Sequence, residues 1–225
     1  MCMVVHMTTT PTLLEQPIEG LWATPGSPLP FDPRVSIRAF LLEREEGNVI
    51  VYNAAGLGTA AAEIRDRGGA SKLLINHGHE EMFGPPPIDA PVFVHERDRA
   101  GLGGAIPVAG TFSRHEMIGA DLEVIPIPGH TPGGAAYLWD SGAHRFLFTG
   151  DSVWLDHGEW SAVVLDAGAR QDYVDSLALM RELDFDVLVP WGATQDEPYL
   201  AVVSRSEARE RLGAIVERVE AGGDR

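Results

Sequence analysis

Cysteine is almost absent from this sequence, because Cys2 is the only one among 225 residues. A single thiol cannot form an intramolecular disulfide, and small proteins of oxidising compartments commonly depend on such bridges. The N-terminus also lacks a basic start followed by a long apolar run, which is the pattern of a secretory signal peptide. These two features predict a protein that works in the cytoplasm.

Positive charge is also scarce. Lys and Arg total 17 against 33 Asp and Glu, which gives a formal net charge of −16. Phosphate backbones and anionic membrane surfaces are bound by clustered basic residues, and the sequence has no such cluster. No stretch approaches the roughly 20 apolar residues that span a bilayer. We therefore expect no nucleic-acid or membrane partner, and the oligomeric state stays open.

The remaining composition is that of one globular domain. Apolar residues make up 44% and charged residues 22% of the chain, and its length suits one α/β domain. We expect a flexible leader at residues 1–15 and a single domain at residues 16–225. Residues 21–34, rich in Pro and Gly, are typical of irregular chain.

Periodicity predicts the main elements of that domain. Strand-like runs at 37–42 and 49–53 flank a polar turn and predict a hairpin. Apolar spacing predicts helices at 58–69, 168–183 and 204–220, the last with Ser204 as its N-cap. Because strands dominate the middle of the chain and helices separate them, the pattern favours sheets covered by helices.

Three short segments combine a strand with a sharp loop that carries a metal-binding type of side chain. NHGHEEM at 76–82 holds His77 and His79, which would project to the same side of an extended chain. PGHTPGG at 128–134 holds His130 in a Gly- and Pro-rich turn. FTGDS at 148–152 presents the carboxylate of Asp151. Imidazole and carboxylate groups bind divalent metals, so the segments together indicate a metal site.

These motifs, in this order, resemble those of the metallo-β-lactamase superfamily. Its members carry HxHxDH, then a histidine in a PGHTPG-like turn, then an aspartate in a GD motif, and finally a histidine after a late strand. The resemblance runs from about residue 21 to the last helix. It implies an α/β (α+β) fold, an αββα sandwich of two mixed β-sheets flanked by helices, with the metals at one edge. It also implies that His77, His79, His130 and Asp151 surround a metal.

The sequence departs from the family pattern at the second metal. Glu81 stands at the aspartate position, Met82 and Trp191 stand at two histidine positions, and Asn53 replaces an aspartate that is common there. A thioether is a weak ligand for zinc, and an indole nitrogen has no free lone pair. We therefore predict one divalent metal ion per chain, with zinc favoured over iron or manganese.

A single zinc held by three histidines lowers the pKa of its bound water to about 7 and polarises a carbonyl. Glu81 is the candidate general base, and Asp151 is either a ligand or an alternative base. The leading hypothesis is a metallo-hydrolase acting on an ester, thioester, lactone or amide of a small molecule.

Two other functions stay open. One is a mononuclear non-haem iron oxygenase that resembles the persulfide dioxygenases, with His77, His130 and Asp151 as the iron ligands. The other is a catalytically inactive binding protein on the same fold. Metal content would separate the last from the two enzymes.

Some aromatic and histidine residues lie outside the motifs. His95 is expected to cap a strand-to-helix junction. His157 follows Asp151 in a loop that borders the metal site in this family, so it either lines a cavity or is a plain loop residue. Trp154 and Trp160 either form an apolar substrate wall or belong to the core.

Overall fold

The computed structural model describes residues 12–224 and contains two large mixed β-sheets, a smaller third sheet and three α-helices within that range. The strands are β1 (Glu15–Ile18), β2 (Leu21–Ala23), β3 (Ser27–Leu29), β4 (Asp32–Ile37), β5 (Phe40–Leu42), β6 (Val49–Val51), β7 (Lys72–Leu74), β8 (Val92–His95), β9 (Val108–Phe112), β10 (Glu116–Ile118), β11 (Leu122–Pro126), β12 (Ala135–Asp140), β13 (Arg145–Gly150), β14 (Trp154–Asp156), β15 (Glu159–Ser161), β16 (Val187–Pro190), β17 (Gly192–Thr194) and β18 (Ala201–Val202). The helices are α1 (Gly56–Asp66), α2 (Arg170–Glu182) and α3 (Arg205–Glu220), with short 3-10 helices at Gly78–Phe83, Glu96–Asp98, Ala100–Leu102 and Ala167–Ala169.

The strand order defines the two layers of the sandwich. The first sheet runs β1-β2-β5-β6-β7-β8-β9, and its pairs from β6 to β9 are parallel. The second sheet runs β10-β11-β12-β13-β16-β18, with only β13 and β16 parallel. The third sheet, β15-β14-β17-β4-β3, lies beside them. The predicted αββα sandwich of mixed sheets is confirmed.

Along the strands of the second sheet, successive side chains are buried on opposite faces, which explains why the sheet is covered on both sides. In β12, Tyr137 and Trp139 belong to the apolar cluster shared with the first sheet, whereas Leu138 belongs to the cluster shared with α2 and α3. β13 behaves in the same way, with Phe148 on one side and Leu147 on the other. A strand whose two faces are both buried must be covered on both sides, by a sheet and by helices.

The predicted helices are present with small shifts of their ends. The helix expected at 58–69 is α1, and the other two are α2 and α3. The Ser204 hydroxyl accepts a hydrogen bond from the Glu207 N–H at 3.2 Å, as the sequence predicted for the N-cap of α3. None of the helices in residues 12–224 has the length and apolarity that crossing a bilayer requires.

Residues 21–34 form strands, whereas the sequence predicted irregular chain there. That stretch contains β2, β3 and the start of β4. Pro28 is tolerated within β3 because β3 is the edge strand of the third sheet, where one side makes no ladder hydrogen bonds.

The predicted leader at 1–15 falls mostly on residues 1–11, which lie outside the described residues. The residues that follow are bound to α1, because the N–H groups of Leu13 and Leu14 donate to the carboxylate of Glu63. Leu14 is buried, and β1 begins at Glu15.

Candidate metal centre

Three loops meet at one edge of the sandwich, and each follows the end of a strand. The chain leaves β7 into residues 75–83, leaves β11 into residues 127–134, and leaves β13 at Gly150. Gly150 has φ +58°, and a Cβ added there would lie 1.6 Å from the Asn76 side-chain oxygen. The positive φ and the close Asn76 side chain together require glycine at the position immediately before Asp151.

His77, His79, His130 and Asp151 form one group, the four-residue cluster. One side-chain atom from each lies within 4.8 Å of the corresponding atoms of the other three. His130 Nε2 is 3.2 Å from His79 Nδ1, His77 Nε2 is 3.4 Å from Asp151 Oδ2, and His130 Nε2 is 3.7 Å from the same oxygen. Ligand atoms about 2.1 Å from a tetrahedral metal lie roughly 3.3 Å apart, so these spacings suit one ion.

A hydrogen bond behind the ring of His130 and a longer ion-pair contact behind the ring of His77 orient these two imidazoles. His130 Nδ1 lies 3.1 Å from the carbonyl oxygen of Val163, to which it donates when protonated. His77 Nδ1 lies 3.5 Å from Glu80 Oε1, at the other end of its ring from Asp151. Protons on both Nδ1 atoms leave the two Nε2 lone pairs directed into the cluster, the arrangement typical of metal-binding histidines.

The electrostatics of the cluster favour a bound cation. Burial lowers the pKa of His130 to about 4 and also lowers the pKa of His79, so both rings are neutral near pH 7 and keep a lone pair. Burial lowers the pKa of His77 too, but Asp151 and Glu80 outweigh it and raise that pKa to about 10, so the two carboxylates stabilise positive charge at this ring, which a metal ion at Nε2 would supply in place of the proton. Burial alone would raise the pKa of Asp151, yet the facing histidines hold it below its usual value.

The residues present fit a divalent metal ion. His77 is 1% exposed, and neither of its ring nitrogens has a hydrogen-bond partner among the described residues. A buried imidazole with an unsatisfied nitrogen is costly unless something else takes its lone pair. With Asp151 as a carboxylate, the donor set of three imidazoles and one oxygen suits zinc and also iron or manganese.

Two buried carboxylates that the sequence analysis did not single out hold the loops in place. Glu80 is fully buried and accepts backbone N–H bonds from Asn53 (2.6 Å), Asn76 (2.7 Å) and His77 (3.2 Å). These bonds fasten the first histidine loop to the ends of β6 and β7. Burial raises the pKa of Glu80, against the lowering effect of these donors and of His77.

Asp98 is the second buried carboxylate, and it joins two of the histidine loops. It accepts the N–H of Gly78 at 2.8 Å, the hydroxyl of Thr131 at 2.6 Å and the N–H of Gly133 at 2.6 Å. Gly78 separates His77 from His79, and Thr131 follows His130. The HERD segment at 95–98 gave no sign of this, because the contacts link residues far apart in sequence. His95 caps the junction as predicted, accepting from the Arg97 N–H.

The position of Glu81 differs from the expectation that it lies close to the metal. Residues Gly78–Phe83 form a 3-10 helix, not an extended segment, so side chains three apart share a side. His79 and Met82 both face the cavity described below. Glu81 instead shares the side of Gly78, and its carboxylate lies beside Gly103. The structure therefore does not bring the candidate base Glu81 to the cluster.

Trp191, which stands where the family pattern has its last histidine, lies beside His77. Its ring lies edge-on to His77, with centroids 5.1 Å apart, and it also packs against Phe83. Its indole N–H donates to the Asn53 carbonyl oxygen at 3.0 Å. The Asn53 side chain donates to the carbonyl oxygens of Glu80 and Gly84, which gives Asn53 a role in holding the 3-10 helix.

A cavity of about 940 Å³ opens beside the cluster. His79, His130 and Asp151 form part of its inner wall, and the β3–β4 hairpin forms an outer wall. Trp154 and His157, which the sequence left between two roles, both line it. Trp160 instead belongs to the core under α2 and α3, where it stacks with Phe185.

Comparison with known proteins agrees with this arrangement. A family model described as the metallo-beta-lactamase superfamily matches residues 59–192, more than half of the chain. A comparison with curated proteins gives no match.

Among solved structures, a beta-lactamase domain protein from Burkholderia ambifaria is 18% identical with a TM-score of 0.66, over 96% of this chain and 76% of its own. BJP-1, a subclass B3 metallo-beta-lactamase of Bradyrhizobium japonicum, is 16% identical with a TM-score of 0.62, over 95% of this chain and 94% of its own. AidC, a dizinc quorum-quenching lactonase, is 11% identical with a TM-score of 0.53, over 75% of each chain.

At such identities the solved structures show a common fold and no more. The family match is independent of them and spans the loops that carry His77, His79, His130 and Asp151. Since it also extends over more than half of the sequence, the chain belongs to the metallo-beta-lactamase superfamily.

Proposed function

We propose that this protein is a metal-dependent hydrolase of small molecules that works with one metal ion held by the four-residue cluster. The observation that carries the proposal is the convergence of three imidazole nitrogens and one carboxylate oxygen within 4.8 Å at the wall of a cavity. Structural metal sites are closed, whereas this group borders a space large enough for a substrate.

The residues of the site have two roles, which are to hold the metal and to take part in the reaction. When bound, a divalent metal in such a site acidifies a coordinated water and polarises a carbonyl group. His77 and His130 are held from behind by Glu80 and by the Val163 carbonyl, so their lone pairs keep one direction. Asp151, with 26% of its side chain exposed, faces both the cluster and the cavity. Because Glu81 turns away, Asp151 is the candidate to take a proton during the reaction.

The substrates we propose are esters, thioesters, lactones or amides. AidC shares the fold and is a lactonase, which makes lactones an early choice for a screen. The cavity is lined by apolar residues and by polar or charged residues in about equal numbers, and the apolar ones suit the hydrocarbon part of such substrates.

The test begins with the metal. Protein purified without added metal is analysed for its elements, stripped with a chelator, and reloaded with Zn(II) or, without oxygen, with Fe(II). Esters, lactones, thioesters and amides are then assayed with each form, and persulfides with the iron form plus oxygen. We expect hydrolysis that disappears with the metal and returns with it. Turnover only of persulfides with iron and oxygen would replace the hydrolase with an oxygenase, and a chain that binds no metal would overturn both.

A further inference from the structure

We infer that the cavity accepts substrates whose acyl part is uncharged and apolar, and that carboxylates around its mouth discriminate against anionic acyl groups. This inference rests on the proposed hydrolase and names its substrate class. It is carried by two features of the same cavity, an apolar surface at the hairpin tip and an excess of negative side chains.

The apolar surface consists of Phe31, at the turn between β3 and β4, and Leu165. Phe31 is 76% exposed, the largest exposed fraction of any large apolar side chain within residues 12–224. Leu165 is 56% exposed, and both side chains line the cavity. Covering exposed aromatic and aliphatic groups at a cavity mouth with an apolar ligand is favourable, because it removes apolar surface from water.

The charges of the cavity are unbalanced. Asp32, Asp156 and Asp196 line it, in addition to Asp151 of the cluster. Arg34 is the only Lys or Arg among the described residues that does so, and one edge of its guanidinium is paired with Asp32. Its Nε and Nη2 atoms donate to the two carboxylate oxygens of Asp32, at 2.9 and 2.7 Å.

Arg34 is therefore poorly placed to bind a substrate carboxylate. The hydrogen bond and charge of Asp32 raise the pKa of Arg34, and Asp156 raises it further, so two carboxylates already act on this one cation. A free carboxylate at the far end of an acyl chain would have to compete with Asp32 and Asp156 for this one cation, and would meet the negative charge of Asp196 as well. A metal ion at the inner end attracts negative charge, but its attraction weakens with distance, whereas the mouth repels.

The first arm of the test compares two esters that differ only in this charge. The zinc-loaded protein is assayed with p-nitrophenyl octanoate and with the mono-p-nitrophenyl ester of octanedioic acid, which have the same leaving group and chain length. We expect kcat/KM for the anionic ester to be at least about tenfold lower, and the gap to narrow as salt screens the charges.

The second arm needs no turnover. Octanohydroxamic acid and the monohydroxamic acid of octanedioic acid share a metal-chelating group and differ in the same terminal carboxylate. Calorimetric titration of the zinc-loaded protein is expected to give at least about tenfold weaker binding of the anionic compound. Equal affinities, or binding of neither compound, would overturn the inference.

Two double variants test whether carboxylates of the cavity cause the selectivity against anionic compounds. Asp156→Asn/Asp196→Asn should reduce the ratio between the paired compounds in both arms, because it removes two negative charges from the mouth. Glu45→Gln/Asp66→Asn removes the same charge from exposed positions outside the cavity and should leave the ratio unchanged. If both double variants change the ratio equally, net charge and not the cavity is responsible.

A third variant tests the apolar surface formed by Phe31 and Leu165. Phe31→Ala should lower the affinity for octanohydroxamic acid while leaving that for acetohydroxamic acid, which has no alkyl chain to cover the Phe31 ring. An equal loss for both compounds would contradict a role of Phe31 in chain binding. If the hydroxamic acids show the expected ratios but no ester, thioester, lactone or amide is cleaved, the hydrolase proposal fails while the selectivity of the cavity stands.

Discussion

The indole N–H of Trp191 is hydrogen-bonded to the Asn53 carbonyl oxygen at 3.0 Å, and its ring presses edge-on against His77. Trp191 is 1% exposed, so this contact is part of the core. It places a large side chain without a free lone pair next to the cluster, at the position where the family pattern has a histidine.

The first prediction is the metal stoichiometry that follows from this contact. Protein saturated with Zn(II) and desalted should retain one ion per chain by elemental analysis, because Trp191 and Met82 supply no imidazole to a second site. Anomalous scattering gives an independent count. Two fully occupied ions about 3.5–4 Å apart would contradict the prediction.

The second prediction contrasts Glu81 with His130. His130→Ala should lose both metal and activity, because it removes a nitrogen from the cluster. Glu81→Gln should keep the metal and keep turnover within about threefold, since its carboxylate lies beside Gly103. A positioned general base would instead be worth about 10²–10⁴-fold.

His115→Ala is the matched control for this pair, because His115 is an exposed histidine paired with Glu123 outside the cluster. It should behave like the unchanged protein. A Glu81→Gln variant that binds no metal, or whose turnover falls a hundredfold with metal present, would mean that the 3-10 helix rearranges when the ion binds.

The sequence was sufficient to find the four members of the cluster because each follows the end of a strand. Strand ends are visible as apolar runs that stop at Gly, Pro or Asn, and the rigid sheets then bring the loops together. The helices were equally visible, since α2 buries Tyr173, Val174, Leu177 and Met180 at helical spacing.

Other parts of the site could not be found in this way. The direction of Glu81 depends on a three-residue period, and nothing in HGHEEM separates a 3-10 helix from an extended segment. Glu80 and Asp98 are charged residues whose complete burial follows from contacts with distant backbone groups. The strands within residues 21–34 were missed because Pro and Gly are common in irregular chain as well as in edge strands.

The third prediction concerns stability far from the cluster. Arg44 is only 2% exposed and donates to Asp121, which also accepts the Trp139 indole N–H at 3.1 Å. Asp121→Asn leaves a buried cation without its carboxylate. We expect a loss of about 3 kcal/mol in the free energy of unfolding, at the low end for a buried pair because Asp121 is partly exposed.

The pH dependence of that loss has a defined sign. Burial raises the pKa of Asp121, but Arg44 and Trp139 outweigh burial and hold it below the usual value. The carboxylate therefore stabilises the fold above the unfolded-state pKa of about 3.9, and this contribution disappears as the pH falls through the lower folded-state value. We expect urea unfolding at several pH values to show that the difference in free energy of unfolding between the unchanged protein and Asp121→Asn narrows only below about pH 4.

A surface pair serves as the comparison. Glu182→Gln breaks an ion pair with Arg209 in which both side chains are about half exposed. Its cost should stay below about 1 kcal/mol. If Asp121→Asn lowers the free energy of unfolding by no more than Glu182→Gln does, the buried ion pair of Arg44 contributes no more to stability than a surface pair.

The fourth prediction is that Asp98 controls the metal affinity without touching the metal. Its Oδ1 accepts from Gly133, and its Oδ2 accepts from Gly78 and Thr131. Asp98→Asn replaces one of these oxygens with an NH₂ group, and in either orientation a donor then faces at least one backbone N–H. The loops that carry His77, His79 and His130 would lose a common anchor. We expect Zn(II) to bind about 10–100-fold more weakly, measured by competition with a chromophoric chelator.

Asp140→Asn is the control, because Asp140 is exposed and also accepts one backbone N–H, from Gly142 at 2.9 Å, in the turn after β12. It makes the same chemical change away from the cluster and should leave the zinc affinity unaltered. Circular dichroism of both variants separates a weakened site from a protein that has failed to fold. A folded Asp98→Asn protein that binds zinc as tightly as the parent would show that the histidine loops keep their positions without this carboxylate, and that the strands together with Glu80 are enough to hold the metal ligands in place.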